Sequence, residues 1–383
     1  MAFQGADGNI YTIHPDGGQL RPLTQDANLL DEESARVYGW PTWSPDGERV
    51  AFIATHREGQ RVKHSLINLR LENSQRVETF SSTDSRPFYL YWSPNGSYIS
   101  FLTQESDDVS LRLARAGSVV ARRLERGSPF YFDWAPDSSA LLMHVSGERL
   151  AVAKVEGQLE ALSDQPGLFA APAWSRDGRH LLYVTEEKDG RSDLVLAPAP
   201  GGQGGEPIRL LRFQGAIAFQ WAPVGDQVAY IVTNDPDLGT FGPLWLLDVE
   251  SGQKTQFTTD NPLAFFWSPD GRKIAYLVPE LTTTRANPLS QSQVGLRLGL
   301  WVVEVESGER KWLAAFVPSR ELLDMLPFFD QYAHSVSFWS PDSRQIVFAG
   351  RGEVGGVGVW VVDSENGQRH QIASGPLGVW SWR

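Results

Sequence analysis

The chain has 383 residues, 41% hydrophobic and 11% aromatic, enough to bury a large core and too long for one ordinary layered domain unless a repeat closes on itself. A formal net charge of -12 argues against a nucleic-acid partner, whose phosphate backbone calls for dense positive charge. With no cysteine, disulfides, thiolate zinc sites and cysteine nucleophiles are excluded, and no run reaches the roughly 18 apolar residues of a membrane span.

In chain order, the start Met1-Ala2-Phe3-Gln4-Gly5-Ala6-Asp7 has neither a basic nor an apolar leader segment, so as written nothing targets it for export. Ile10-Tyr11-Thr12-Ile13-His14, with Asp16-Gly17-Gly18-Gln19, reads as a strand and turn. Trp43-Ser44-Pro45-Asp46-Gly47 is then the first copy of a phrase that returns, full or degraded, at Trp92, Trp134, Trp174, Trp221, Trp267 and Trp339. The spacings of 49, 42, 40, 47, 46 and 72 residues match a four-stranded propeller blade, apart from one enlarged unit.

Each tryptophan follows a short apolar run, and Pro-Asp-Gly is turn chemistry: proline presets φ and glycine accepts a positive one. The motif therefore reads as a hairpin from an inner strand into a second strand such as Val50-Ala51-Phe52-Ile53 or Ile274-Ala275-Tyr276-Leu277. Third strands follow at Leu244-Trp245-Leu246-Leu247-Asp248, Leu300-Trp301-Val302-Val303-Glu304 and Val359-Trp360-Val361-Val362-Asp363. The N-terminal segment resembles a third strand and its turn, while Leu377-Gly378-Val379-Trp380 resembles an inner strand with no turn after it. The expectation is an all-β, eight-bladed propeller of four-stranded antiparallel blades, closed by pairing the C-terminal strand with the N-terminal ones; seven blades is the alternative. One propeller domain spans 1–383, with loop insertions at 279–298 and 314–335. The basic stretch Arg112, Arg115, Arg122, Arg123 and Arg126 reads as a solvated blade edge.

The Trp-Ser-Pro-Asp-Gly hairpin followed by Ile-Ala-Tyr and Leu-Trp-Val-x-Asp resembles the TolB-type propeller repeat, also found in propellers of tricorn and prolyl-oligopeptidase-like peptidases. The resemblance spans essentially the whole chain and implies a fold. The chain departs from TolB in lacking its N-terminal α/β domain and in having more than six blades. It also implies an extracytoplasmic setting, the periplasm or cell surface.

Strand alternation puts the short turns at one end of the ring and the long excursions, 25–39, 55–64, 233–243, 279–298 and 314–335, at the other. The excursion at 279–298 is a loop insertion polar enough to be mobile alone. In the next, Ser319 is an N-cap before a helix-forming run that ends at Pro327. Phe328-Phe329-Asp330-Gln331-Tyr332-Ala333-His334 follows. Two readings compete: the aromatics lie over the central opening as a lid, or they anchor a partner. The candidate partner-binding set is Arg285, Arg320, Glu321, Phe328, Phe329, Asp330, Gln331 and Tyr332.

No nucleophile elbow, phosphate loop or His-Glu-x-x-His motif occurs, so neither catalytic nor metal-binding residues are assigned, and no cofactor is expected. His56, His64 and His334 are the histidines placed to reach the long-loop face. Asp133 and Gln220, each preceding a motif tryptophan, are candidate channel groups or ordinary hydrogen-bonded interior residues. The leading expectation is a non-catalytic scaffold holding a protein partner in an envelope or membrane-associated assembly. The competing classes are a lyase or hydrolase acting on oligosaccharide or peptide, and a regulator of a separate peptidase.

Overall fold

The turn chemistry of the repeat is what builds the sheets. In the computed structural model, which describes the chain apart from residues 30–32, 164–165, 168–169, 187–188, 202–204, 234–240, 285–292 and 353–355, every motif tryptophan but Trp339 ends an inner strand. The motif aspartate folds back on its own turn: Asp46, Asp137, Asp177 and Asp270 each accept a hydrogen bond from the backbone N–H two residues on, at 2.9–3.1 Å. Gly47, Gly178 and Gly271 hold φ near 70°, and Ser138 and Ser343 keep that left-handed conformation in the degenerate copies, with φ of 65° and 60°. The tryptophans pack between neighbouring sheets. Trp134 Nε1 donates to Ser100 Oγ at 2.9 Å and Trp339 Nε1 to the Phe266 carbonyl at 3.0 Å.

Among the described residues there are six four-stranded antiparallel sheets and one of seven strands. The chain ends share a sheet. Leu377–Val379 pairs antiparallel with Ala2–Gln4, which pairs in turn with Ile10–Thr12, so the C-terminal strand takes the inner place as expected. The approach at Gly378 is so close that a Cβ there would stand 2.4 Å from Val359 Cγ1.

The seven-stranded sheet holds two motif units, those of Trp267 and Trp339, so motifs and continuous sheets count differently. The last unit has little inner strand: Trp339 bridges Ile346, but the chain before it, 319–336, lies elsewhere. The far end of Gln345–Arg351 is thus left open, and Val317 and Pro318 of the preceding unit pair with Arg351 and Gly350 instead.

One excursion differs from expectation. The stretch 279–298 is no irregular loop where it is described: strands Lys273–Thr284 and Gln293–Glu304 continue through it in register, from Lys273↔Glu304 to Thr284↔Gln293. The long excursion at 55–64 is itself the extended end of the hairpin Arg49–Glu58/Arg61–Arg70 around Gly59. Cross-strand pairing satisfies the backbone of polar residues just as it does that of apolar ones, so the polarity of 279–298 does not make it a loop.

Candidate functional site

Helix α1, Arg320–Met325, starts where Ser319 Oγ accepts a hydrogen bond from Leu322 N, the N-cap read from the sequence. Its α-helical turns end at Met325, just before Pro327. A 3-10 turn, Leu326–Phe328, accommodates that proline in its first positions, and helix α2, Phe329–Tyr332, follows. Together they enter the ring. Phe329 stacks edge-on against Phe265 and Phe266, with ring centroids 5.0 and 6.1 Å away, and α2 packs against inner strands Ala216–Trp221 and Phe130–Trp134. Gln331 Oε1 accepts from Phe132 N at 3.2 Å, and the Gln331 carbonyl accepts from Tyr89 Oη at 2.8 Å. Further on, Thr42 Oγ1 donates to the Ser335 carbonyl at 2.5 Å, and Ser337 O accepts from Trp380 N at 2.9 Å. A segment touching the inner strands of so many sheets lies on the axis: 319–336 is a plug.

Two strained aromatics hold its end. Trp40 and Tyr89 adopt positive φ, 58° and 45°, at register shifts in the inner strands Ser34–Trp43 and Arg86–Trp92. A bulky residue there costs about 1–3 kcal/mol, and each bulge turns a ring onto Tyr332, at 6.2 and 5.2 Å between centroids. Beside them opens a cleft of about 420 Å³ at the long-loop end. Trp40, Phe88, Tyr131, Phe328 and Tyr332 give its walls an aromatic character, and Arg86, Gln104 and Asp324 also line it.

The eight candidate partner-binding residues divide sharply. Phe329, Asp330 and Gln331 are buried, 2%, 5% and 4% exposed, so the plug's interior uses them and the lid reading describes their packing. Phe328 is 43% exposed and Arg320 is exposed; Glu321 and Tyr332 are half-buried. Arg285 lies outside the described residues. Sequence reasoning missed Trp40, Phe88, Tyr89 and Tyr131. Their signal was the aromatic density of the inner strands, Phe88-Tyr89-Leu90-Tyr91 and Phe130-Tyr131-Phe132.

Burial decides the electrostatics. Desolvation pushes the Asp330 carboxyl up to about 7, and the phenols of Tyr89 and Tyr131, themselves driven well above their usual range by burial, stand near it. The folded state binds this proton more tightly than the unfolded chain, whose aspartates titrate near pH ~4. Its contribution to stability is therefore complete below about pH 4 and is lost as pH rises through about 7. Asp330→Asn is expected to remove that slope, so that wild type loses melting temperature relative to the variant between about pH 4 and 7. Parallel melting curves across that range would assign the slope to other groups.

Asp133 bridges three sheets: it accepts from Tyr91 Oη at 3.0 Å and Trp174 N at 2.8 Å and lies 3.7 Å from His334 Nδ1. Gln220 Nε2 donates to Phe265 O at 3.3 Å. Both are hydrogen-bonded interior residues. The three histidines do not converge. His56 pairs with Lys63 and His64 with Thr55, which puts His56 and His64 on opposite faces of one hairpin, while His334 lies in the plug. Among the described residues no three His, Asp or Glu side chains cluster as metal ligands.

Neither a protein-family model nor a curated protein sequence matches the chain. Solved structures do. An oligogalacturonate lyase in complex with manganese superposes with a TM-score of 0.54 at 14% identity, over 85% of this chain and 84% of that one. A prolyl endopeptidase superposes with a TM-score of 0.57 at 10% identity, over 89% of this chain and 50% of that one. TolB from Acinetobacter baumannii gives 0.43 at 14% identity, over 85% and 80%. The chain thus spans about half of the prolyl endopeptidase. At these identities the likeness to the lyase and the prolyl endopeptidase is one of fold: the chain is a β-propeller.

Proposed function

We propose that this chain is a non-catalytic propeller scaffold that binds a protein partner on its plugged face. The observation that carries the reading is the juxtaposition of a rigidly held plug with an open aromatic cleft. Phe328 and Leu323, 43% and 38% exposed, stand on the plug's outer side, and buried Phe329 and Gln331 fix the turns that present them. Partly exposed aromatics on a preorganised support are the usual anchors of protein interfaces. The divided histidines favour binding over a lyase or hydrolase. Membership of an envelope or membrane-associated assembly, and the extracytoplasmic compartment, rest on the resemblance of the repeat; no helix among the described residues is long and apolar enough to cross a membrane.

The reading is tested by finding where a partner touches. A photo-crosslinking amino acid at position 328 is expected to capture a specific protein in the source cells, and the same group at position 224, in a motif turn at the opposite end of the ring, is expected not to.

A further inference from the structure

Resting on that reading, we infer that the cleft seats an acidic segment of the partner protein, with one aromatic or leucine side chain inside and a flanking carboxylate on Arg86. The cleft's volume, about 420 Å³, lies within the range of roughly 300–1,000 Å³ typical of ligand sites and suits a bulky apolar side chain. Its aromatic walls match such an anchor.

Charge selects the rest of the segment. The chain is acidic as a whole, at -12, and among the described residues that line the cleft the basic side chain is Arg86. Arg86 lines the cleft, is exposed, and forms neither an ion pair nor a side-chain hydrogen bond among the described residues. His64 stands close enough that burial and the Arg86 guanidinium together hold its imidazole below the usual range. Arg57 follows on the same face of the hairpin, two residues beyond Thr55, the cross-strand partner of His64; it too is exposed and without an ion pair among the described residues. A guanidinium beside aromatic surface, free to take a carboxylate in a bidentate grip, is a strong anchor for an acidic chain. The plug contributes Asp324 to the lining, with Arg320 at 4.0 Å. A carboxylate therefore enters from the Arg86 side, which orients the segment. Exposed Leu323 and Phe328 continue the apolar surface along the plug, where residues flanking the anchor would cover them.

The test uses fluorescence anisotropy with the full chain and a fluorescein-labelled peptide, Gly-Asp-Glu-Phe-Asp-Glu-Gly. Binding is expected to weaken at least about tenfold when the peptide's Phe becomes Ala, when its acids become Lys, and when the protein carries Arg86→Glu. Arg86 is exposed, and circular dichroism checks that the variant folds. Equal binding of the Lys peptide, undiminished binding to Arg86→Glu, or no binding of the acidic peptide at about 1 mM would overturn the inference. N-acetylphenylalanine binding as tightly as the peptide would overturn it as well, assigning the cleft to a small carboxylate. A crosslink at position 328 alongside a failed peptide would leave the protein-binding surface standing and remove only its acidic specificity; absence of that crosslink removes the surface itself.

Discussion

Removing residues 377–383 is expected to abolish cooperative folding of the ring. The lost strand supplies the inner position of the sheet that joins the chain ends, through Ala2↔Val379, Phe3↔Gly378 and Gln4↔Leu377. Leu377, Val379 and Trp380 are 1%, 0% and 4% exposed, so three apolar side chains leave the core. At about 1.5–3 kcal/mol for each buried side chain, the loss is of the same order as the roughly 5–15 kcal/mol that stabilises a typical protein. The edge of Ala2–Gln4 is also left unpaired, an invitation to aggregation. The expected result by calorimetry is the disappearance of the single sharp transition, with association of the truncated chain on size exclusion. An unchanged melting temperature would mean that the ring closes without this strand.

The second large effect separates two adjacent phenylalanines. Phe329→Ala removes a side chain that is 2% exposed and wedged against Phe265 and Phe266, so a loss of roughly 3–5 kcal/mol is expected from transfer and cavity terms. Phe328→Ala, at a 43% exposed ring touching Tyr131, is expected to cost about 1 kcal/mol or less. Urea denaturation of the two variants reads the difference directly. The contrast also carries function: Phe328→Ala leaves a stable scaffold with a weakened surface, whereas Phe329→Ala loosens the plug. Equal losses in the two variants would contradict the placement of the plug.

The repeat was legible because its turns are local chemistry. Proline, aspartate and a residue tolerating positive φ fix a hairpin within five positions, and the interval between copies then sets the sheet count to within the ambiguity of the enlarged unit. The closing strand was legible for a related reason: an inner strand with no turn after it needs a partner strand. The cap at Ser319 was equally local. What was not legible depends on the far side of the ring. Nothing in Phe328-Phe329 says which ring faces inward, because that is decided by Phe265 and Phe266, more than 60 residues earlier in the chain. Trp40 and Tyr89 escaped notice because bulky residues avoid positive φ, and only tertiary packing holds them there. The strands through 279–298 were hidden by polar composition.

The binding claim is tested most directly by photo-crosslinking in the source cells, with p-benzoylphenylalanine replacing Phe328 on the plug or Val224 in a motif turn, where the side chain is 55% exposed. A discrete adduct from position 328, absent at 224 and diminished by Arg86→Glu, is the predicted result. No adduct at 328, or the same adduct from both ends of the ring, would contradict a partner seat on the plugged face.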